Sequence, residues 1–134
     1  MNKLQAKIFS ITKSQGVVLV DLMLDEIQLS AMMVSSHNEP QWLKTGETVT
    51  VAFKETEVSI GKNLSGQISL RNRIPCNVTH IDQGEIMSLL HLKYTDNIII
   101  SAITTRSVNQ MNISVGDEVT ALIKANEISI FQKH

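Results

Sequence analysis

The sequence predicts an all-β chain: two tandem, small five-stranded barrels, each carrying one short helix. Three observations carry that expectation. The chain repeats itself, its apolar residues alternate with polar ones in short runs, and turn-forming residues separate those runs. Aligning LKTGETVTVAFKETEVSI (43–60) with ISVGDEVTALIKANEISI (113–130) at an offset of 70 gives seven identities: Gly46/Gly116, Val49/Val119, Thr50/Thr120, Lys54/Lys124, Glu57/Glu127, Ser59/Ser129 and Ile60/Ile130. LQAKIFSI (4–11) aligns with IPCNVTHI (74–81) at the same offset, whereas LSAMM (29–33) matches ISAIT (100–104) at an offset of 71. That drift predicts unequal turns, longer before Gly16 in the first copy and longer around Tyr94–Asn97 in the second. The copies are expected to occupy 1–61 and 67–134, joined near Gly61–Gly66.

Each element has a local reason. Lys7–Lys13 alternates, and Val17–Leu24 is a β-branched run ending in alternation. Gln28–Met33 and Ile98–Ile103 are short apolar strands, with Asp25-Glu26 and Asp96-Asn97 as hairpin turns. The polar stretches SSHNEPQWLKTG and TTRSVNQMNISVG follow; in the second, Ser107 reads as an N-cap ahead of Val108, Met111 and Ile113 at near-helical spacing. Gly46 and Gly116 turn into Thr48–Phe53 and Val119–Ile123, and Glu57–Ile60 and Glu127–Phe131 close the copies. Five strands and a helix per copy suit a partly closed barrel of the oligonucleotide/oligosaccharide-binding kind. The inward phase changes from Val49, Val51, Phe53 to Val58, Ile60, and from Val119, Ala121, Ile123 to Ile128, Ile130. A bulge, kink or turn is therefore expected just after Lys54 and Lys124.

Composition narrows the function. The chain has 134 residues, 43% hydrophobic and 19% charged, with a net charge of −1, so no basic field invites nucleic acid or an anionic membrane. Aromatics are 4%, too few for a base-stacking platform. Cys76 is the single cysteine, and His37, His80, His91 and His134 show no ligand spacing in sequence, so neither a disulfide nor a Cys-based zinc site is expected within one chain. The N-terminus lacks an apolar core and no apolar run approaches the roughly 18 residues of a membrane span. A soluble intracellular protein is expected, with the sequons at Asn63, Asn77 and Asn112 idle. No G-x-S-x-G, H-E-x-x-H, phosphate-binding loop or dinucleotide fingerprint is present, so no enzyme is expected.

What remains is a set of donors. Ser69-Leu70-Arg71-Asn72 precedes the second copy's first strand, Thr104-Thr105-Arg106-Ser107 ends a strand, and Lys124-Ala125-Asn126 sits at the phase change. A fully ionised tetrahedral oxyanion needs donors only, with cations to offset its charge. No carboxylate lies inside the three segments, and Glu127 is the nearest.

These residues carry a resemblance. S-L-R-N-R-I-P-C-x-V-x-x-I, A-I-T-T-R-S-V and V-G-D-E-V-T-A-L-I-K-A resemble the molybdenum-pterin-binding (Mop, or molbindin) domain family across about 69–131, and more weakly across the first copy. The resemblance implies reversible binding of molybdate or tungstate between subunits or repeats, without direct coordination of the metal by side chains. It implies a cytoplasmic homo-oligomer, dimer or trimer, serving molybdenum storage or homeostasis. Its implied oxyanion-binding residues are Ser69, Arg71, Asn72 (fixing the loop), Thr104, Lys124 and the backbone around Ala125. Leu70, Cys76 and Asn126 depart from the family's usual Ala, Gly, and Ser or Pro. The first copy departs more: Met1 falls opposite Arg71, Ser69 has no counterpart, Met33 stands for Thr104 and Glu55 for Ala125. The first copy is therefore expected to be degenerate as a ligand donor or to complete sites only through a partner, unless residues ahead of Met1 supply the missing Ser and Arg. Asn2 survives, and Lys54 is the one possible second-site residue. The same chemistry would serve the ligand-sensing module of a molybdate-responsive transcription regulator or transporter. A nucleic-acid or assembly module on the same barrel is the remaining alternative.

Overall fold

The computed structural model describes residues 1–35 and 38–133; His37 and His134 lie outside the described residues. The first copy gives β1 (Asn2–Ser14), β2 (Val17–Leu24), β3 (Ile27–Val34), β4 (Thr48–Phe53), a 3-10 turn at Glu55–Glu57, and β5 (Ser59–Gly61). The second gives β6 (Asn72–Gln83), β7 (Met87–Tyr94), β8 (Asn97–Thr104), α1 (Thr105–Gln110), β9 (Glu118–Ile123), a 3-10 turn at Ala125–Glu127, and β10 (Ser129–Gln132).

Strand for strand the offset is 70 throughout, so the expected drift to 71 is corrected. Leu24 pairs with Ile27 and Tyr94 with Asn97, each across a two-residue loop. The second hairpin therefore turns on Thr95-Asp96, not Asp96-Asn97, with Thr95 at φ 50° and its counterpart Asp25 at 53°. The turns after β1 and β6 are equal as well, Gln15-Gly16 between paired Ser14 and Val17 and Glu85-Ile86 between Gly84 and Met87, where Gly84 N–H donates to Met87 O at 3.0 Å. The offset of 71 rested on the likeness of LSAMM to ISAIT; backbone pairing overrides it.

The two sheets run β10-β4-β1-β2-β3 and β5-β9-β6-β7-β8. Each copy thus sends its last strand into the other copy's sheet: Ser59–Gly61 pairs with Thr120–Leu122, and Ser129–Gln132 with Val49–Ala52. The hydrogen-bonded sheets do not follow the expected division at 1–61 and 67–134. This explains the phase change. The 3-10 turns at Glu55–Glu57 and Ala125–Glu127 end one strand and launch a new one into a different sheet, so its inward parity is set afresh.

The core crosses between the copies as one apolar cluster, with Phe53 its only fully buried aromatic ring. Val58 and Ile128, just beyond the 3-10 turns, are 1% and 3% exposed. Each contributes about 1.5–3 kcal/mol by burial, which fixes the crossing. Two asparagines lock the halves reciprocally. Asn2 accepts from Ile100 N (2.8 Å) and donates to Ile100 O (2.8 Å). Asn72, fully buried, accepts from Ser30 N (2.7 Å) and donates to Ser30 O (3.0 Å) and Ile123 O (3.0 Å).

The helix expected in each copy forms in the second; among the described residues the first has turns there instead. The N-cap is Thr104 rather than Ser107: Thr104 Oγ1 accepts from Ser107 N at 3.1 Å. Val34 stands at that position in the first copy and has no oxygen to offer. Gly46 and Gly116 take φ 95° and 96°, a left-handed turn that L side chains resist.

Candidate functional site

The donor segments are positioned by the strand exchange. Ser69 and Arg71 lie exposed ahead of β6, and Lys124 lies exposed at the end of β9, the strand paired with β6 through Asn72 and Ile123. Asn72 ties both to Ser30 of β3. Arg73, which sequence reasoning passed over, shapes the segment from behind: its Nε donates to Leu70 O (2.9 Å) and its guanidinium to Ile68 O (2.7 Å). The signal was present as Arg-x-Arg, but nothing in sequence says which arginine turns back. Arg71 and Lys124 side chains make no ion pair among the described residues, and the 3-10 turn at Ala125–Glu127 begins with amides that have no acceptor inside it.

Two expected members take structural positions within this chain. Both amide hydrogens of Asn72 are engaged by backbone carbonyls, so it positions the segment and offers no donor to a ligand. Thr104 belongs elsewhere within one chain. The Ala125–Glu127 turn packs on β3, and the Glu55–Glu57 turn packs on β8, the strand that carries Thr104. Thr104 therefore ends a strand that packs on the first copy's Glu55–Glu57 turn, and Val34, not Met33, is its counterpart at the end of β3. Thr104 caps α1, its hydroxyl 2.9 Å from Ser107 Oγ, and lines a groove with Glu85, Ile86 and Arg106.

The first copy's corner is filled from within. The N-terminal ammonium of Met1, at the Arg71 position, donates to Glu55 Oε2 at 2.9 Å, where the second copy has Ala125. That hydrogen bond holds the Glu55 carboxyl below the usual carboxylate range. Lys54 is exposed, its backbone N–H donating to Glu57 Oε1 at 3.0 Å.

Cys76, which stands where the resembled family usually has Gly, faces the core at 4% exposure, and burial pushes its thiol up to about 12. An apolar groove of about 500 Å³ lies beside the second corner, lined by Val17, Met32, Met33 and Val34 opposite Asn126, Ile128, Ser129 and Ile130. Among the described residues no helix is long and apolar enough to cross a membrane.

The architecture defines a class: a strand-exchanged pair of small barrels in which one corner presents donors and the equivalent corner closes an ion pair. Known proteins are similar to the chain in sequence and in fold. Residues 68–130 match the TOBE domain family. The Brucella abortus molybdenum import ATP-binding protein ModC is 36% identical over 84 residues, 62% of this chain; the matched stretch spans about a quarter (23%) of that relative's length. A probable molybdenum-pterin-binding protein of Haemophilus influenzae is 29% identical over 65 residues, covering 48% of this chain and 94% of that protein. The molybdenum-pterin-binding protein MopA of Rhodobacter capsulatus is 36% identical over 69 residues, 51% of this chain and 26% of its own length. The crystal structure of the cytoplasmic molybdate-binding protein ModG, with molybdate bound, superposes with a TM-score of 0.92 at 21% identity, covering 98% of this chain and 96% of that one; it shares the fold. The second copy is thus similar to a TOBE domain and to molybdenum-pterin-binding proteins.

Proposed function

We propose that the chain binds molybdate or tungstate reversibly, as a cytoplasmic, non-enzymatic carrier or store. The carrying observation is the donor-only corner: Arg71 and Lys124 unpaired, Ser69 beside them, open amides at Ala125 and no carboxylate in the three segments. A guanidinium binds two oxyanion oxygens at once, and a Lys supplies the second charge. The Mop-domain relatives and the ModG fold support molybdenum oxyanion as the ligand class.

Ser69, Arg71 and Lys124 line none of the described grooves and are exposed. A neighbouring chain would close the site, and it could bring a Thr104 that one chain holds apart from Lys124. Exposed Val34 (86%) and Phe131 (50%) give such a contact apolar material. We propose a homo-oligomer, dimer or trimer, stabilised by the bound anion through mass action. Isothermal titration with molybdate, tungstate, sulfate and phosphate tests the ligand. Heat with molybdate and none with phosphate supports the reading; silence with all four overturns it. Light scattering tests the assembly, and a tightly binding monomer would force a wholly intrachain site.

A further inference from the structure

The outer face of the β6–β7 hairpin holds a cluster that the oxyanion chemistry does not use. His80 Nε2 lies 2.7 Å from Asp82 Oδ1, and His91 Nε2 lies 3.1 Å from Asp82 Oδ2. The two rings meet edge to face, centroids 5.1 Å apart. One ligand atom from each residue falls within 4.8 Å of the others. In sequence the histidines are eleven residues apart and show no metal spacing; the hairpin creates the juxtaposition.

A β-bulge makes the geometry. The register shifts between Val78 and His80, leaving Thr79 as the extra residue and setting His80 directly across from His91. Asp82 follows His80 by two, on the same face of the strand. The first copy has the same bulge, between Ile8 and Ser10, but Ser10, Thr12 and Asp21 stand at the three positions, and Asp21 accepts from Ser30 Oγ at 2.7 Å. The backbone device is common to both copies; the nitrogen ligands belong to the second alone.

We propose that His80, Asp82 and His91 form a binding site for a divalent first-row transition cation of the zinc or nickel kind. Two imidazoles and one carboxylate are the donor set such ions favour, and hard alkaline-earth ions do not. A metal with bonds of about 2.0–2.2 Å at near-tetrahedral angles needs its ligand atoms about 3.3 Å apart. The two His–Asp separations are already close to that, so side-chain rotation alone brings the nitrogens together. Without metal, a ring that carries its proton on Nε2 donates to the carboxylate, His80 to Oδ1 and His91 to Oδ2. With metal, the ring proton resides on Nδ1, and Nε2 gives its lone pair to the ion. His80 and Asp82 are more than half exposed and His91 is 29% exposed, which leaves the remaining coordination positions to water. The cluster lies eight residues along β6 from Asn72, roughly 25 Å at strand rise, so it is separate from the oxyanion corner.

The test is isothermal titration of the chelator-stripped full chain with zinc chloride and, separately, nickel chloride, with magnesium chloride as control. One zinc or nickel per chain is expected, and no magnesium. The His80→Gln/His91→Gln double variant should lose affinity at least tenfold while keeping its far-ultraviolet dichroism and its molybdate titration. Absence of saturable binding for both ions, or a loss under tenfold in the double variant, overturns the site; the latter would send the ion to other ligands, His37 and His134 among them.

Discussion

Two corners of this molecule begin from the same plan and end differently. In each, the asparagine at the head of a copy's first strand clamps the third strand of the other copy, and a Lys precedes a 3-10 turn packed on that strand. Around Asn72 the surroundings are Ser69, Arg71 and Ala125; around Asn2 they are the Met1 ammonium and Glu55, already paired at 2.9 Å. The difference teaches that the clamp is architecture and the charges are chemistry. A fold can keep a two-fold frame while only one half retains an open field of donors.

That separation can be broken or sharpened by substitution. The largest effect is expected at the clamps. Asn72→Ala leaves three buried backbone groups without partners and should cost about 2–4 kcal/mol in denaturant unfolding, against about 1–2 for Asn2→Ala with two bonds. Equal costs would mean that the bond to Ile123 contributes nothing. Next is Arg71→Ala, which should weaken molybdate at least tenfold, about 1.4 kcal/mol, with the melting temperature of the ligand-free protein unchanged. An unaltered dissociation constant removes this arginine from the site. Smaller again is the contrast of lysines: Lys124→Ala should lose more affinity than Lys54→Ala, because Glu55 accompanies the latter. A reversed order would show that the first corner binds.

The smallest effect concerns the linker. Lys62 Nζ reaches Asp117 Oδ2 (3.0 Å) and the carbonyls of Met111 and Asn112, and Ser114 N–H also donates to Asp117. The Ser114 amide first, then Lys62, hold the Asp117 carboxyl below its usual range. A lowered folded pKa contributes stability that is complete above the unfolded Asp value and vanishes as pH falls through the folded one. Lys62→Ala should therefore lower stability slightly near neutrality, with the difference from the parent chain shrinking as pH falls through the acid range. Equal stability of the two near neutrality would leave Ser114 as the sole cause.

Much of this was legible in the sequence. Seven identities revealed the repeat, alternation gave the strands, and the phase change after Lys54 and Lys124 located the two 3-10 turns. Strand exchange was not legible. Val58 and Ile60 state which face is inward, but the pattern of Ser59–Gly61 reads identically whichever sheet receives it. The same blindness placed Thr104 beside Lys124, since membership of a corner depends on which strand a turn packs against. Ser107 read as the cap because Ser is a good cap anywhere, whereas the backbone ends β8 at Thr104. Arg73 was missed because a side chain that returns to carbonyls leaves no periodicity.

The exchange also has an order in time. On the ribosome the first copy is complete in sequence once Gly61 has emerged, yet its sheet still lacks the edge strand that covers β4, and that strand is Ser129–Gln132. About seventy residues must be synthesised before it arrives, at roughly 5–20 residues per second. Until then β4 offers an unpaired rim to any strand nearby, including its own β5, which must finally leave for β9. A nascent chain halted just ahead of Ser129 could pair β5 with β9 and would still lack the strand that covers β4.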